Sequence, residues 1–397
     1  MSERPLRVLY VVSLFPCWSE TFIVREIEQL LELGVDVRIF SLKHPSERLV
    51  QDDARALLQR VLYPAPAWSL ADRTTTARAI GPLLRSLGRH PAALVKSLAA
   101  AWRASGAIAA IRALAPDVIH AHWATYPSTA ALLLSRATGI PFGFTSHAHD
   151  LFVEDHLLGP KLAEASYAVT ISQFNKRWLA ERYAKWAGKV RVVHCGLPLA
   201  AYPFDSSARE PGAILSVGRL DGIKGFETLI DACALLRDAG VRFRCEIVGE
   251  GPLRGALEAQ VARLDLSQRV ALPGALPQAE VRRRLYAASV FALASTVTAD
   301  GNRDGIPVAL MEAMAVGTPV VSTTVSGIPE LVCDGVSGRL VPPADPAALA
   351  AALRSLLSEP CEPLRANARA TVEREFDVAR EAGRLLEMLQ EAARSAR

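Results

Sequence analysis

The chain has 397 residues, 50% apolar and 22% charged, with a formal net charge of +4. That length accommodates two to three domains, each with its own core. The mild charge and an aromatic content of 6% argue against a nucleic-acid partner, which calls for clustered cations and stacking platforms.

Leu6–Ser13 reads as a buried parallel strand, and a helix from about Glu20 to Leu33 follows, stopped by Gly34. Val35–Ser41 is the next strand, completing a βαβ unit. Further strands are predicted at Val118–Ala121, Phe142–Ser146, Ala168–Ile171 and Val190–His194, with helices between them. The apolar run at the N-terminus is too short for a secretory leader, and no run of 18 apolar residues occurs, so a cytoplasmic chain without a spanning helix is expected. Cys17, Cys195, Cys233, Cys245, Cys333 and Cys361 stand singly, without C-x-x-C spacing, and are expected as reduced thiols.

Residues 196–212, rich in Pro, Ser, Ala and Gly, break the alternation, and a linker is expected at 199–212. A second series begins with strand Ala213–Gly218 and helix Phe226–Ala239, closed by Gly240. It continues with strand Phe243–Val248, helix Leu253–Leu264, and strands near Val270, Val290–Leu293, Val320–Ser322 and Arg339–Val341. Helices at about Pro346–Leu357 and Asp377–Ala396 close the chain. The predicted fold class is α/β, with two Rossmann-like doubly wound parallel sheets at 1–198 and 213–375 and a C-terminal helix at 376–397 packing back on the first domain. Ligands of such sheets bind beyond the carboxyl ends of the strands, so an interdomain cleft lined by those loops is expected.

Asp304–Gly317 is a loop and a helix that starts after Pro307 and carries a single charge, Glu312, among apolar residues. A carboxylate there needs dedicated donors: either the two hydroxyls of a ribose or an internal partner. Arg219 and Lys224 lie in the Arg-Leu-Asp-Gly-Ile-Lys-Gly loop just before a helix N-terminus, a suitable place for a diphosphate, though also for a solvated basic loop.

The D-x7-E spacing of Asp304 and Glu312 resembles the E-x7-E signature of retaining glycosyltransferases with the GT-B fold, family 4 in particular. VGRLDGIKGFETLIDA, IVGEGPLRGALE, ALPGALPQAEV and VSGIPELVCDGVSGRLVPPAD resemble four further ordered segments of that family. The likeness spans nearly the whole chain, and it departs from the family in having Asp rather than Glu at 304. The string ADGNRDGIPVALMEAM and the segment Phe15–Glu26 resemble a subgroup of bacterial exopolysaccharide assembly, of the colanic-acid type.

The resemblance implies that Glu312 binds ribose hydroxyls and Asp304 binds donor-sugar hydroxyls. It implies that Arg219 and Lys224 bind the diphosphate, with Gly305, Ile306 and Pro307 beside the donor. In the first domain it places His147 near the donor sugar, so that His147, Asp304 and Glu312 form the catalytic set. Asp150 matches an acid of the same motif, and His147, His149 and Asp150 are also close enough in sequence to suggest a metal, which the family does not require. Asp150, His122, Ser19 and Thr21 are candidates for the acceptor side; His120 and His122 either line that pocket or merely end a strand.

The implied activity is retaining transfer from a nucleotide-sugar donor to a carbohydrate or lipid-linked acceptor, with no cofactor and no metal. Arg219 and Lys224 would offset the charge of the leaving diphosphate, and that phosphate would serve as base in a front-face route. Two alternatives are a nucleotide-sugar epimerase on the same architecture and a non-catalytic bilobal sugar-binding protein. A dehydrogenase is not expected, because no G-x-G-x-x-G follows the first strand. Residues 73–116 hold seven basic residues and no acid, between apolar positions such as Leu94, Val95, Leu98 and Trp102. They suit either the inner-membrane surface as a further partner or a core-facing stripe with solvated arginines.

Overall fold

A computed structural model describes residues 4–17, 20–45, 52–64, 74, 76–77, 81, 87, 90–359 and 361–395. The chain forms two compact units, Met1–Gly196 together with Val378–Arg397, and Leu197–Asp377. Ser19 and much of the 73–89 stretch lie outside the described residues.

The first unit carries a seven-stranded sheet: β1 (Arg7–Leu14), β2 (Asp36–Lys43), β3 (Val61–Leu62), β4 (Val118–His122), β5 (Phe142–Ser146), β6 (Tyr167–Thr170) and β7 (Val190–Val192). Its order is β3-β2-β1-β4-β5-β6-β7, and every pairing is parallel. The strands are apolar on both faces because helices cover both. Helix Thr21–Glu32 buries Ile23, Val24, Ile27 and Leu30. Helix Val378–Ser395 packs on helix Thr21–Glu32 and adds Leu385 and Leu389 to the same core, which also holds Val8, Tyr10 and Val12 of β1.

The second unit carries six strands: β8 (Glu210–Val217), β9 (Arg244–Val248), β10 (Val270–Gly274), β11 (Ala288–Ala292), β12 (Val320–Thr323) and β13 (Arg339–Val341). Their order is β10-β9-β8-β11-β12-β13, again all parallel. In each sheet the strand order reverses once, between β1 and β4 and between β8 and β11. At such a reversal the flanking loops diverge, leaving a crevice beyond the carboxyl ends of the strands. The two sheets with their helices are an α/β fold of the GT-B type.

Two features differ from the sequence reading. The edge strand β3 is only two residues long, too short to leave a period-two signal. The stretch expected as linker instead belongs to the second unit's core and surface. Tyr202 is 1% exposed, β8 already starts at Glu210 rather than Ala213, and Arg365 donates to the carbonyls of Gly317 and Asp205, both at 2.6 Å. Pro, Ser and Gly describe its irregular backbone but not its attachment, which comes from an arginine far along the chain.

Gly143 in β5 shows how tightly the first sheet is packed near its functional edge. A Cβ there would lie 2.4 Å from the ring of Tyr167. That absence lets the Tyr167 ring lie against β5, its hydroxyl 2.9 Å from Nδ1 of His120. Gly143→Ala is therefore expected to cost about 1–3 kcal/mol through overpacking, read as a lower Tm and a lower denaturation midpoint with an unchanged m-value.

Candidate functional site

In the second unit, the two loops at the strand reversal meet side chain to side chain. Lys224, from the loop after β8, donates to Oδ1 of Asp304 at 2.7 Å, and Ser295 donates to Oδ2 at 2.8 Å. Asp304 is 9% exposed, so both carboxylate oxygens are matched where hydration is poor. The loops approach closely because glycines remove the side chains between them. A Cβ on Gly225, where φ is +62°, would lie 1.9 Å from the carbonyl oxygen of Ala294. A Cβ on Gly251 would lie 2.4 Å from that of Leu220.

Arg219 projects from the same loop and is largely exposed, its nearest carboxylate oxygen being that of Asp221 at 3.9 Å. Burial pushes the Asp221 carboxyl up, and Asp304 adds to that while Lys224 opposes it. Gly305 lies against the loop after β12, where Gly327 N–H donates to its carbonyl at 3.3 Å. Pro307 caps helix Val308–Ala315, and Ile306 is buried before it. Glu312, on that helix, is 6% exposed. Its Oε1 accepts from the Tyr202 hydroxyl at 2.8 Å and from Gln278 at 3.1 Å. Lys224 and Asp304 are thus brought into direct contact, whereas Glu312 is held by an internal pair of donors.

In the first unit, the functional edge is a buried polar network. His120 and His122 sit two apart on β4 and so face the same side. His122 Nε2 lies 2.9 Å from Glu26 Oε1, and its Nδ1 lies 3.3 Å from His147 Nε2. Tyr10 donates to the same Glu26 oxygen at 2.6 Å. Both nitrogens of His120 are engaged, by Tyr167 at 2.9 Å and by Thr145 at 3.0 Å. His147 follows β5 and packs against the tilted rings of Phe22 and Trp123, with ring centroids 4.9 and 4.3 Å away.

Burial alone would push the Glu26 carboxyl up, but His122, His120 and Tyr10 outweigh it and bring it down to about 2. Burial brings His120 down to about 3, with His122 adding to the shift, and holds His147 well below the ordinary imidazole range. Both rings are therefore neutral near neutral pH, beside one ionised carboxylate. Glu26, His120 and His122 also present ligand atoms within 4.8 Å of one another. A metal there would have to displace existing partners, since all four ring nitrogens of these histidines are hydrogen-bonded.

Two of the acceptor-side candidates are buried. Asp150 is wholly buried, and its oxygens accept the backbone N–H groups of His147 and Ala124 at 2.8 and 2.6 Å. It clamps the loop after β4 to the loop after β5. His122 is 1% exposed with both nitrogens engaged, so it lies behind His147. Thr21 begins helix Thr21–Glu32 and is half-buried.

Sequence reading missed Glu26, Tyr10, Tyr167 and Lys161. Glu26 carried a signal, since it lies three residues from Ile23 on the apolar face of its helix. Lys161 is buried, and burial brings it down to about 7; its ammonium donates to the carbonyls of Ala124 and Thr125.

Residues 19–201 match the family described as Glycosyltransferase Family 4, and residues 203–374 match Glycosyl transferases group 1. The amylovoran biosynthesis glycosyltransferase AmsK of Erwinia amylovora is 31% identical, over 94% of this chain and 96% of that protein. The chain belongs to the family 4 glycosyltransferases. A further relative is the putative colanic acid biosynthesis glycosyltransferase WcaL of Escherichia coli, 32% identical over 97% of this chain and 100% of its own. Among solved structures, HepE of Anabaena in complex with UDP-glucose superposes with a TM-score of 0.72 at 18% identity, covering 97% of this chain and 100% of that one. Sucrose-phosphate synthase of Thermosynechococcus elongatus gives 0.75 at 21%, covering 98% and 100%. Membership of a transferase family disfavours the epimerase and the non-catalytic sugar-binding protein.

The depressed carboxyl of Glu26 has a definite linkage sign. Its stabilising contribution is complete above the ordinary value of 4.5 and is lost as pH falls toward 2. Glu26→Gln should remove on the order of 2–3 kcal/mol of that acid-induced loss. Urea unfolding at about pH 6 and about pH 3 checks this: the variant's stability should differ less between the two.

Proposed function

We propose that this family 4 glycosyltransferase transfers a sugar from a UDP-sugar, with retention of configuration and without a metal, during assembly of a bacterial exopolysaccharide. The Lys224–Asp304 pair at the strand reversal of the second unit carries the reading. A lysine held by one carboxylate in a glycine-rich loop keeps two N–H donors for a diphosphate, and the Asp304 oxygens keep further lone pairs for sugar hydroxyls. Arg219, exposed on the same loop, adds the second cation that offsets the leaving group. Glu312, whose Oε1 is fixed by Tyr202 and Gln278, is assigned to the ribose hydroxyls and completes the donor set, with Gly305, Ile306 and Pro307 beside it. The UDP-glucose complex of HepE and the names of AmsK and WcaL support the donor class and the pathway.

On this reading His147 of the first unit positions the donor sugar, and the leaving phosphate takes the acceptor proton. A thermal-shift screen with UDP-, GDP- and ADP-sugars identifies the donor, a UDP-sugar giving the largest rise. Lys224→Ala should lose that rise, corresponding to at least about tenfold weaker binding. His147→Ala should keep it while losing transfer. Parental affinity in Lys224→Ala rejects the donor site.

One surface favours a lipid-linked acceptor. Helix Pro91–Ser105 buries its small residues Ala100, Ala101 and Ala104 but exposes Val95 at 66%, Leu98 at 47% and Trp102 at 59%. Large apolar residues outward and small ones inward, with Lys96 and Arg103 alongside, suit the headgroup region of an anionic membrane. Among the described residues no single helix is long and apolar enough to cross a membrane; this helix and Ile108–Leu114 reach that length and apolarity only together and are bent by 51° at the break between them. The protein is expected to float with vesicles containing phosphatidylglycerol. Trp102→Asp combined with Leu98→Asp should abolish flotation without changing UDP binding.

A further inference from the structure

Helix Val308–Ala315, which carries Glu312, ends in an ordinary glycine stop. Thr318 N–H donates to the carbonyl of Ala313 at 2.9 Å, and Gly317 N–H, where φ is +78°, donates to that of Met314 at 3.2 Å. The next three carbonyls lie beyond that motif, and each is taken by a separate arginine. Arg369 donates to Ala315 at 3.0 Å, Arg209 to Val316 at 2.7 Å and Arg365 to Gly317 at 2.6 Å. The same three guanidiniums also hold the segment 202–207. Arg369 donates to the carbonyl of Tyr202 at 2.6 Å, while Arg209 and Arg365 both donate to that of Asp205, at 2.8 and 2.6 Å. Gathering like charge here is unfavourable: burial pushes Arg209 down, and Arg365 adds to the shift. The glycine stop already ends the helix, so what the arginines add is a fixed register between the helix end and this segment.

That register bears on Glu312 through Tyr202. The Tyr202 carbonyl is held by Arg369, and its hydroxyl donates to Oε1 of Glu312 at 2.8 Å. Arg369, Ala315, Glu312 and Tyr202 therefore close a ring of contacts. Gln278 braces it, donating to the Tyr202 hydroxyl at 2.8 Å and to Glu312 at 3.1 Å. The last torsion of a glutamate is soft, so its carboxylate turns easily unless donors fix it. We propose that Arg369 and Tyr202 are positioning residues that fix the rotation of the Glu312 carboxylate, so that the site discriminates a ribonucleotide from its 2′-deoxy form. The proposal rests on the reading of Glu312 as the group that binds the ribose. A carboxylate already set in direction accepts a ribose hydroxyl without reorganising, whereas one left to turn loses part of that gain to ordering.

Calorimetry of the full chain with UDP, GDP and ADP, and with the 2′-deoxy form of each, reads the discrimination on whichever base binds tightest. The parent should bind the ribonucleotide at least about tenfold more tightly than its deoxy form. Glu312→Ala should bring that ratio to within about twofold of unity. Tyr202→Phe keeps the ring and removes only the donor, and it should lower the ratio by at least about threefold, as should Arg369→Gln. One nitrogen of Arg369, Nη1, bridges both carbonyls, so an ammonium can stand in for it and Arg369→Lys should recover the parental ratio. A purely structural arginine would lower Tm on substitution and leave the ratio alone. A parental ratio in Tyr202→Phe, or in a folded Arg369→Gln, overturns the proposal; if Glu312→Ala has meanwhile lost the discrimination, the ribose reading stands. A parental ratio in Glu312→Ala, or a parent that binds none of the three or does not discriminate, overturns that reading and the proposal with it. Should Arg369→Gln fail to fold, Tyr202→Phe decides alone.

Discussion

An ionised group taken out of water must be matched by partners, and in this chain that constraint organises both functional edges. Asp304 is matched by Lys224 and Ser295, Glu312 by Tyr202 and Gln278, and Glu26 by His122 and Tyr10. Each set joins segments distant in sequence: Tyr202 and Glu312 stand 110 residues apart, and Glu26 and His122 stand 96 apart. Removing one member strands the other, so these pairs tie the register of the loops to the integrity of the core.

The two sheets place the pairs through the same device. Where strand order reverses, the loops after the flanking strands part and leave backbone and side chains facing one crevice. Lys224 follows β8 and Asp304 follows β11, the two strands at the reversal of the second sheet. In the first sheet Phe15 and Pro16 follow β1, while His122 closes β4 and His147 follows β5. Chemistry gathers at these edges because the parallel topology brings together loops that no local sequence pattern connects.

The alternation of strand and helix was legible, because buried parallel strands are short apolar runs and their helices end on glycines such as Gly34 and Gly240. Glu312 stood out as a charge on an apolar helix, and Lys224 as a cation before a helix start. Their actual partners were not legible. Tyr202 lay in a stretch whose composition signals irregular backbone, and nothing local ties Gln278 to Glu312. Asp150 and His122 read as polar groups at strand ends, which is correct. Only the depth of the fold shows that backbone amides and neighbouring rings have already taken their lone pairs. Glu26 was detectable in principle from the spacing Ile23, Glu26, Ile27, Leu30, but a single acid in an amphipathic helix is common enough to pass unnoticed.

The helix Val378–Ser395 has a consequence for the order in which the protein is built. It shares one core with Val8, Tyr10 and Val12 of the first strand, yet in the chain it follows the whole second unit. The second unit draws on one continuous stretch and can close as soon as that stretch is made. The first unit lacks part of its core until the second unit's stretch has been made. The unit that begins first is therefore completed after the one inserted within it.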